Sequence, residues 1–243
     1  MAIHNGIPYL FVGKRNGFGS CRKGIKPERL YIVETCWRLW NLGDHDRRAT
    51  VITSKEEYKA YLEHDRIALG EIRSYPLPFD VIWRFERLLR KAEYYRNCHR
   101  TVIGKMYAYW LHYRVHGFGQ KLGFSIPLNV FGPGLSIAHV GTIVVNGNAK
   151  VGKNCRIQEC TTIGATNGSG DAPILGDNIF LGSGARIIGG VELADDVAVG
   201  ANAVVVRDVL TPGITVAGVP ARQISTHDSH DNLNPMLAEH GLL

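Results

Sequence analysis

Two hydrophobic periods divide the chain. From residue 145 to 205, aliphatic side chains recur at every sixth position: Val145, Val151, Ile157, Ile163, then Leu175, Leu181, Ile187, Leu193, Val199 and Val205. Neither the 3.6-residue period of an amphipathic helix nor the alternation of a half-buried strand produces a repeat of six. Glycine follows the aliphatic residue at Val151-Gly152, Ile163-Gly164, Leu181-Gly182 and Val199-Gly200. The pattern predicts a short strand, a tight turn and another short strand, with three such units closing a triangular coil. Inward aliphatic residues stack from coil to coil, so each coil is stabilised mainly by its neighbours. The repeat breaks between Ile163 and Leu175, where Thr166-Asn-Gly-Ser-Gly-Asp171 and Pro173 predict an extruded loop. Loops carried on a rigid scaffold are where substrates are gripped.

Before the repeat the period is helical. Ser54 and Glu57 form a capping box, after which Tyr58, Tyr61 and Leu62 share one face. Pro76 and Pro78 interrupt the chain, and Ile82, Phe85, Leu88, Leu89, Ala92 and Tyr95 then make an apolar stripe. Arg84, Arg87, Arg90 and Lys91 are expected to make the other side of that helix basic. A third helical segment, 102–115, places Met106, Tyr109, Trp110 and Tyr113 on neighbouring turns, whereas residues 1–25, with five glycines, read as loop.

Charge and aromatic content sharpen the division. Residues 1–122 hold 22 Lys/Arg against 12 Asp/Glu, and residues 123–243 hold 6 against 10. Of 22 aromatic residues only Phe131 and Phe180 follow Phe124, as a narrow solenoid interior requires. The expected organisation is a helical basic domain over 1–122, a β-solenoid over 123–225 and a tail over 226–243. No apolar run reaches membrane-spanning length and no signal peptide is evident at the start of the sequence. Five scattered cysteines read as reduced thiols, which points to a cytoplasmic protein. No nucleic-acid motif accompanies the basic charge, so no nucleic acid is expected. A helix with one apolar stripe and an Arg/Lys face suits peripheral contact with an anionic membrane.

The repeat followed by Val216-Ala-Gly-Val-Pro-Ala-Arg222 resembles the closing motif of left-handed β-helix acyltransferases. Gly134-Leu-Ser-Ile-Ala-His139, Gly164-Ala165 and Ala217-Gly-Val-Pro-Ala-Arg222 are similar to the serine acetyltransferase family, most closely its surface-polysaccharide branch. The resemblance implies an α+β chain: an N-terminal helical domain, then a left-handed parallel β-helix of hexapeptide repeats with an extruded loop. It also implies a homotrimer, with acetyl-CoA as co-substrate in the groove between subunits and no metal. His139, the only histidine between His116 and His227, matches the family's catalytic base. Gly164, Ala165, Ala185, Ala203, Arg207, Pro220 and Arg222 are the matching candidates for the CoA groove and its phosphates.

The chain departs from the family at three positions. The carboxylate that orients the histidine is matched by Ser125, the carboxylate preceding the histidine by Ala138, and a second histidine by Ala172. Glu159, 20 residues after His139 and so about one coil later, is the candidate replacement for the orienting carboxylate. Loss of the groups that grip serine favours another acceptor, a sugar hydroxyl in surface-polysaccharide biosynthesis. The alternatives are serine O-acetylation in cysteine biosynthesis, sugar N-acetylation, and a trimeric scaffold without turnover. Cys160 lacks an evident base partner and reads as a packed turn residue.

Overall fold

A computed structural model describes residues 51–166 and 170–243. The 1–25 segment and part of the extruded loop lie outside the described residues. Three helices come first: α1 (Lys55–Leu69), α2 (Val81–Cys98) and α3 (Val102–Leu122). The Ser54 hydroxyl accepts from the Glu57 N–H at 3.0 Å, as the capping box requires. The Glu57 carboxylate, however, reaches back to Thr53, accepting from its N–H at 2.7 Å and its hydroxyl at 2.8 Å. Gly70 and Gly123 end α1 and α3 in the left-handed conformation (φ 78° and 84°), closing the last turn without a Cβ clash.

The strands then wind three faces. One face stacks β1 (Phe124–Ser125), β3 (Ile143–Val145), β6 (Thr162–Gly164), β9 (Arg186–Ile188) and β12 (Val204–Val205). A second stacks β4 (Lys150–Val151), β7 (Ile174–Leu175) and β10 (Glu192–Leu193). The third stacks β2 (Ser136–Ile137), β5 (Arg156–Ile157), β8 (Phe180–Leu181), β11 (Ala198–Val199) and β13 (Thr215–Gly218). All these pairings are parallel. The register lines up Val145, Ile163, Ile187 and Val205 in one inward column, and Ile157, Leu181 and Val199 in another. Every predicted hexad position is buried. Each aliphatic side chain so placed contributes about 1.5–3 kcal/mol of transfer free energy. Phe131 also enters the interior, above Val151, because the first coil is covered by helices and not by a further narrow coil.

One corner of each coil carries a non-glycine residue at positive φ: Asn154 (57°), Asn178 (56°) and Asp196 (61°). Their side chains form a ladder: Asn154 donates to Asn178 at 2.7 Å, and Asn178 donates to Asp196 at 2.8 Å. His64 of α1 meets Asn154 at one end and His230 meets Asp196 at the other. Short polar side chains tolerate this conformation and stitch consecutive turns together.

Both ends of the solenoid are closed. At the far end, β14 (Ala221–Ser225) folds back antiparallel on β13, so the closing motif caps the last coil as a hairpin. At the near end the first coil presents backbone groups that no further coil can pair. Helices α1 and α2 answer them with charged side chains. Arg90 donates to the carbonyls of Phe131 (2.8 Å) and Gly132 (2.6 Å), and to Asp65 and Glu93. Asp65 accepts from the N–H groups of Gly134 and Leu135, Glu93 from Asn129 and Glu86 from Ile137. All four side chains, of Arg90, Asp65, Glu93 and Glu86, are buried. The expected basic face of α2 is only partly a surface: Arg90 is fully buried, Arg87 and Lys91 are half-buried over the rings of Tyr75 and Tyr107, and Arg84 alone of the four is exposed.

Packing is continuous from helix to strand, with Phe85, Leu89, Leu111 and Val115 sharing one core with the coils. The tail is ordered: it forms a 3₁₀ turn (His230–Asn232) and α4 (Met236–Glu239), and packs Leu233 and Leu237 on Ile67 and Ala68 of α1.

Candidate active site

The corner that carries His139 is longer than those beneath it. Eight positions separate Ile137 from Val145, where six separate Ile157 from Ile163. The extra residues push the turn outward, and His139 is exposed on it. The ladder that pairs Ile137 with Ile157 and Ile157 with Leu181 runs on to Ala138, whose N–H donates to the Ile157 carbonyl at 3.0 Å, and it sets Glu159 over Ser183, with His139 following on the lengthened turn. Gly141 crosses directly over Glu159, and a Cβ added there would lie 2.8 Å from the Glu159 Cβ. Glycine at this position lets the histidine-bearing turn rest on the carboxylate below.

The Ser183 hydroxyl donates to Glu159 Oε1 at 2.5 Å. Glu159 Oε2 is buried and has no hydrogen-bond partner among the described residues. The Ser183 bond, foremost, and the nearby imidazole of His139 hold the Glu159 carboxyl below its usual range. The corner thus joins a solvent-facing imidazole to an ionised carboxylate with one oxygen still free to accept. Ser183 was not singled out in the sequence; the signal was its spacing of 24 residues from Glu159, the same as Leu181 from Ile157. Ser125 pairs with Val144 on a neighbouring face and is exposed.

The remaining candidates gather at other corners. Gly164 ends β6 opposite Ile188, so it and Ala165 stand at the far end of the strands from the Glu159 corner. The open groove there is lined by Thr166, Ile188, Gly189, Gly190, Val206 and Arg207, among others, and by neither Gly164 nor Ala165. The paired glycines accommodate the extruded loop: a Cβ at Gly189 would meet Thr166 Oγ1 at 2.9 Å, and one at Gly190 would meet Asp171 Cβ at 2.9 Å. That doublet is the sequence signal the repeat analysis passed over. Arg207 and Asp208 also line a second groove, which holds Arg222. The two predicted phosphate-binding arginines therefore share one groove, joined to the loop groove through Arg207. Pro220 is exposed in the β13–β14 turn and lines neither groove.

Ala185 and Ala203 do not reach a groove at all. Both side chains are fully buried, their N–H groups donate to Gly182 and Gly200, and their carbonyls accept from Thr162 and Arg186. They fill tight corners, which is the other demand the fold makes on that position. Cys155 is buried and burial pushes its thiol up to about 12, whereas Cys160 is an exposed corner residue at φ 60°. Among the described residues no group of three or more His, Cys, Asp or Glu is arranged to hold a metal ion.

No family model matches the chain. Individual proteins do. The serine acetyltransferase of Synechococcus elongatus is 36% identical over 95 residues, which cover 38% of this chain and 38% of that protein. The Escherichia coli serine acetyltransferase is 34% identical over 105 residues, covering 42% of this chain and 38% of the other. The chain thus spans about two fifths of the length of these curated relatives. In three dimensions it is similar to the Brucella abortus serine acetyltransferase in complex with coenzyme A (TM-score 0.55, 26% identity, 71% of this chain and 70% of that one). Soybean serine acetyltransferase apoenzyme superposes equally well (TM-score 0.56, 26% identity, 70% of each chain). The solenoid is accordingly a left-handed parallel β-helix, and over this part the chain is similar to serine acetyltransferases in sequence and in fold.

Proposed function

We propose that the protein is an acetyl-CoA-dependent O-acetyltransferase in which His139 is the general base. The observation that carries this reading is the exposed His139 on the lengthened corner, near the Glu159 carboxylate that the Ser183 hydroxyl holds. A hydroxyl is a poor nucleophile at neutral pH, and a neutral imidazole takes its proton as the new C–O bond forms. The free Glu159 oxygen then stabilises the imidazolium. His139 returns the proton to the departing thiolate as the C–S bond breaks, so one proton and one acetyl group change hands. Acetyl-CoA, when bound, supplies the activated thioester. Arg207 and Arg222 fit its phosphates, since two cations lie in one groove beside a single carboxylate, Asp208. The groove corner and the His139 corner stand at opposite ends of the same strands, which supports a homotrimer in which one chain's His139 faces its neighbour's groove.

The comparisons support L-serine as acceptor better than a sugar. A second reading, acetylation of a sugar hydroxyl, is favoured by the chain's own residues: Ala138 and Ala172 offer no hydrogen bond to the serine amine and carboxylate. Thiol release from acetyl-CoA, with and without L-serine, decides between them. Serine-dependent release that falls about 10²–10⁴-fold in His139→Ala supports the first reading. Tight acetyl-CoA binding without a serine response moves the acceptor to a sugar hydroxyl, and a base-stable product moves it to an amine. Failure to bind acetyl-CoA overturns the enzyme reading.

A further inference from the structure

Among the described residues, helix α3 is packed on one side only. Its buried residues are Gly104, Ala108, Leu111, Val115, Gly119 and Leu122, and three of these are glycine or alanine. Small residues there let the helix pack without its large side chains. At 100° per residue, those large side chains fall on the opposite side. Ile103 is 81% exposed, Met106 69%, Tyr113 70% and Trp110 45%, with Val102 and Tyr109 beside them. This stripe is continuous over the first three turns, and single exposed apolar residues do not form such a patch.

The charge around the stripe is of one sign. Helix α3 contains no Asp or Glu. By helical position Lys105, His112 and His116 border one edge of the stripe, while Arg114 and Lys121 border the other. The Arg114 guanidinium lies 5.0 Å from the Trp110 ring centroid, which places a cation at the rim of the apolar surface. Among the described residues no helix is long and apolar enough to cross a membrane. A helix with an apolar face, amphipathic Trp and Tyr rings, and flanking cations lies in the plane of a bilayer, its bases against anionic headgroups.

We propose that the outer face of α3 docks the protein on an anionic phospholipid surface. The proposal is independent of which acceptor the active site takes, since the stripe from Val102 to Tyr113 lines neither groove; α3 meets the His139 corner at its last residue, where the Leu122 carbonyl accepts from the Gly141 N–H at 3.1 Å. It also moves membrane contact away from the α2 face that the sequence suggested, because Arg90 is buried there.

The test is co-sedimentation of the full chain with vesicles of 70% phosphatidylcholine and 30% phosphatidylserine, beside vesicles of phosphatidylcholine alone. The expected result is binding to the anionic vesicles at least about tenfold stronger than to the neutral ones, weakening between 0.05 and 0.5 M salt as screened charges predict. A Met106→Glu/Trp110→Glu variant, with an unchanged melting temperature, should lose at least about tenfold of that binding. Absence of wild-type binding, or equal binding by the variant, overturns the proposal. So does a variant that changes the size of the particle in solution without changing lipid binding, which would make the face a contact between copies. A clear fall in the variant's melting temperature would show that the face is already covered within the chain, and would also overturn it.

Discussion

The solenoid and the helical cap solve the same problem, burial of backbone and side chains, by different means. In the coils every face repeats one operation: an aliphatic residue inward, a parallel ladder to the next coil, and an αL corner bonded to the corner below. No single residue is indispensable, because each contributes one of many equivalent contacts. The cap works once. Arg90 alone touches Asp65, Glu93 and two carbonyls of the first coil, and every partner is buried. A repeat spreads its energy, whereas a terminus concentrates it where the repeat has run out of partners.

This contrast can be broken most severely at Arg90. Arg90→Leu strands Asp65 and Glu93 as buried carboxyls, and urea unfolding should show a loss of about 3–5 kcal/mol. A loss below 1 kcal/mol would mean that the cap is as redundant as the coils. A smaller effect is expected at Glu86, whose carboxyl is pushed well above its usual range, chiefly by burial and then by Asp65. A carboxyl raised on folding contributes most below its unfolded value of 4.5, and that contribution is lost as pH rises towards the folded value. Glu86→Gln cannot ionise, so its stability relative to wild type should improve from pH 5 to pH 8, by at most about 1.4 kcal/mol per pH unit. A pH-independent difference would show that Glu86 ionises freely in the folded chain. The smallest change is expected within the solenoid. Ile157→Val should cost about 0.5–1.5 kcal/mol by thermal or urea unfolding, since its column keeps Ile137 and Leu181 on either side.

The candidate active-site corner draws on both kinds of order. Glu159 and Ser183 are repeat positions, but the corner's shape comes from an irregularity, the longer turn between Ile137 and Val145. His139 is read from the resemblance and Glu159 from its spacing of about one coil from the histidine. Ala185 and Ala203 were legible as small corner residues, and their side chains are buried. The repeat places small residues at corners, and whether a corner faces a groove or the interior depends on how the whole coil is turned.

The hydrophobic period of six therefore determined the β-helix and its inward columns, since a period is a local property that each coil repeats. Helix existence followed equally from caps and stripes. Helix orientation did not. The sequence of α2 reads as a basic face and that of α3 as an apolar one, yet the structure buries Arg90 and exposes Met106 and Tyr113. The open end of the solenoid decided this. Its unpaired backbone groups attract charges that can satisfy them, and the small residues of α3 allow the closest helix packing. Both facts depend on surfaces that exist only once the chain has folded.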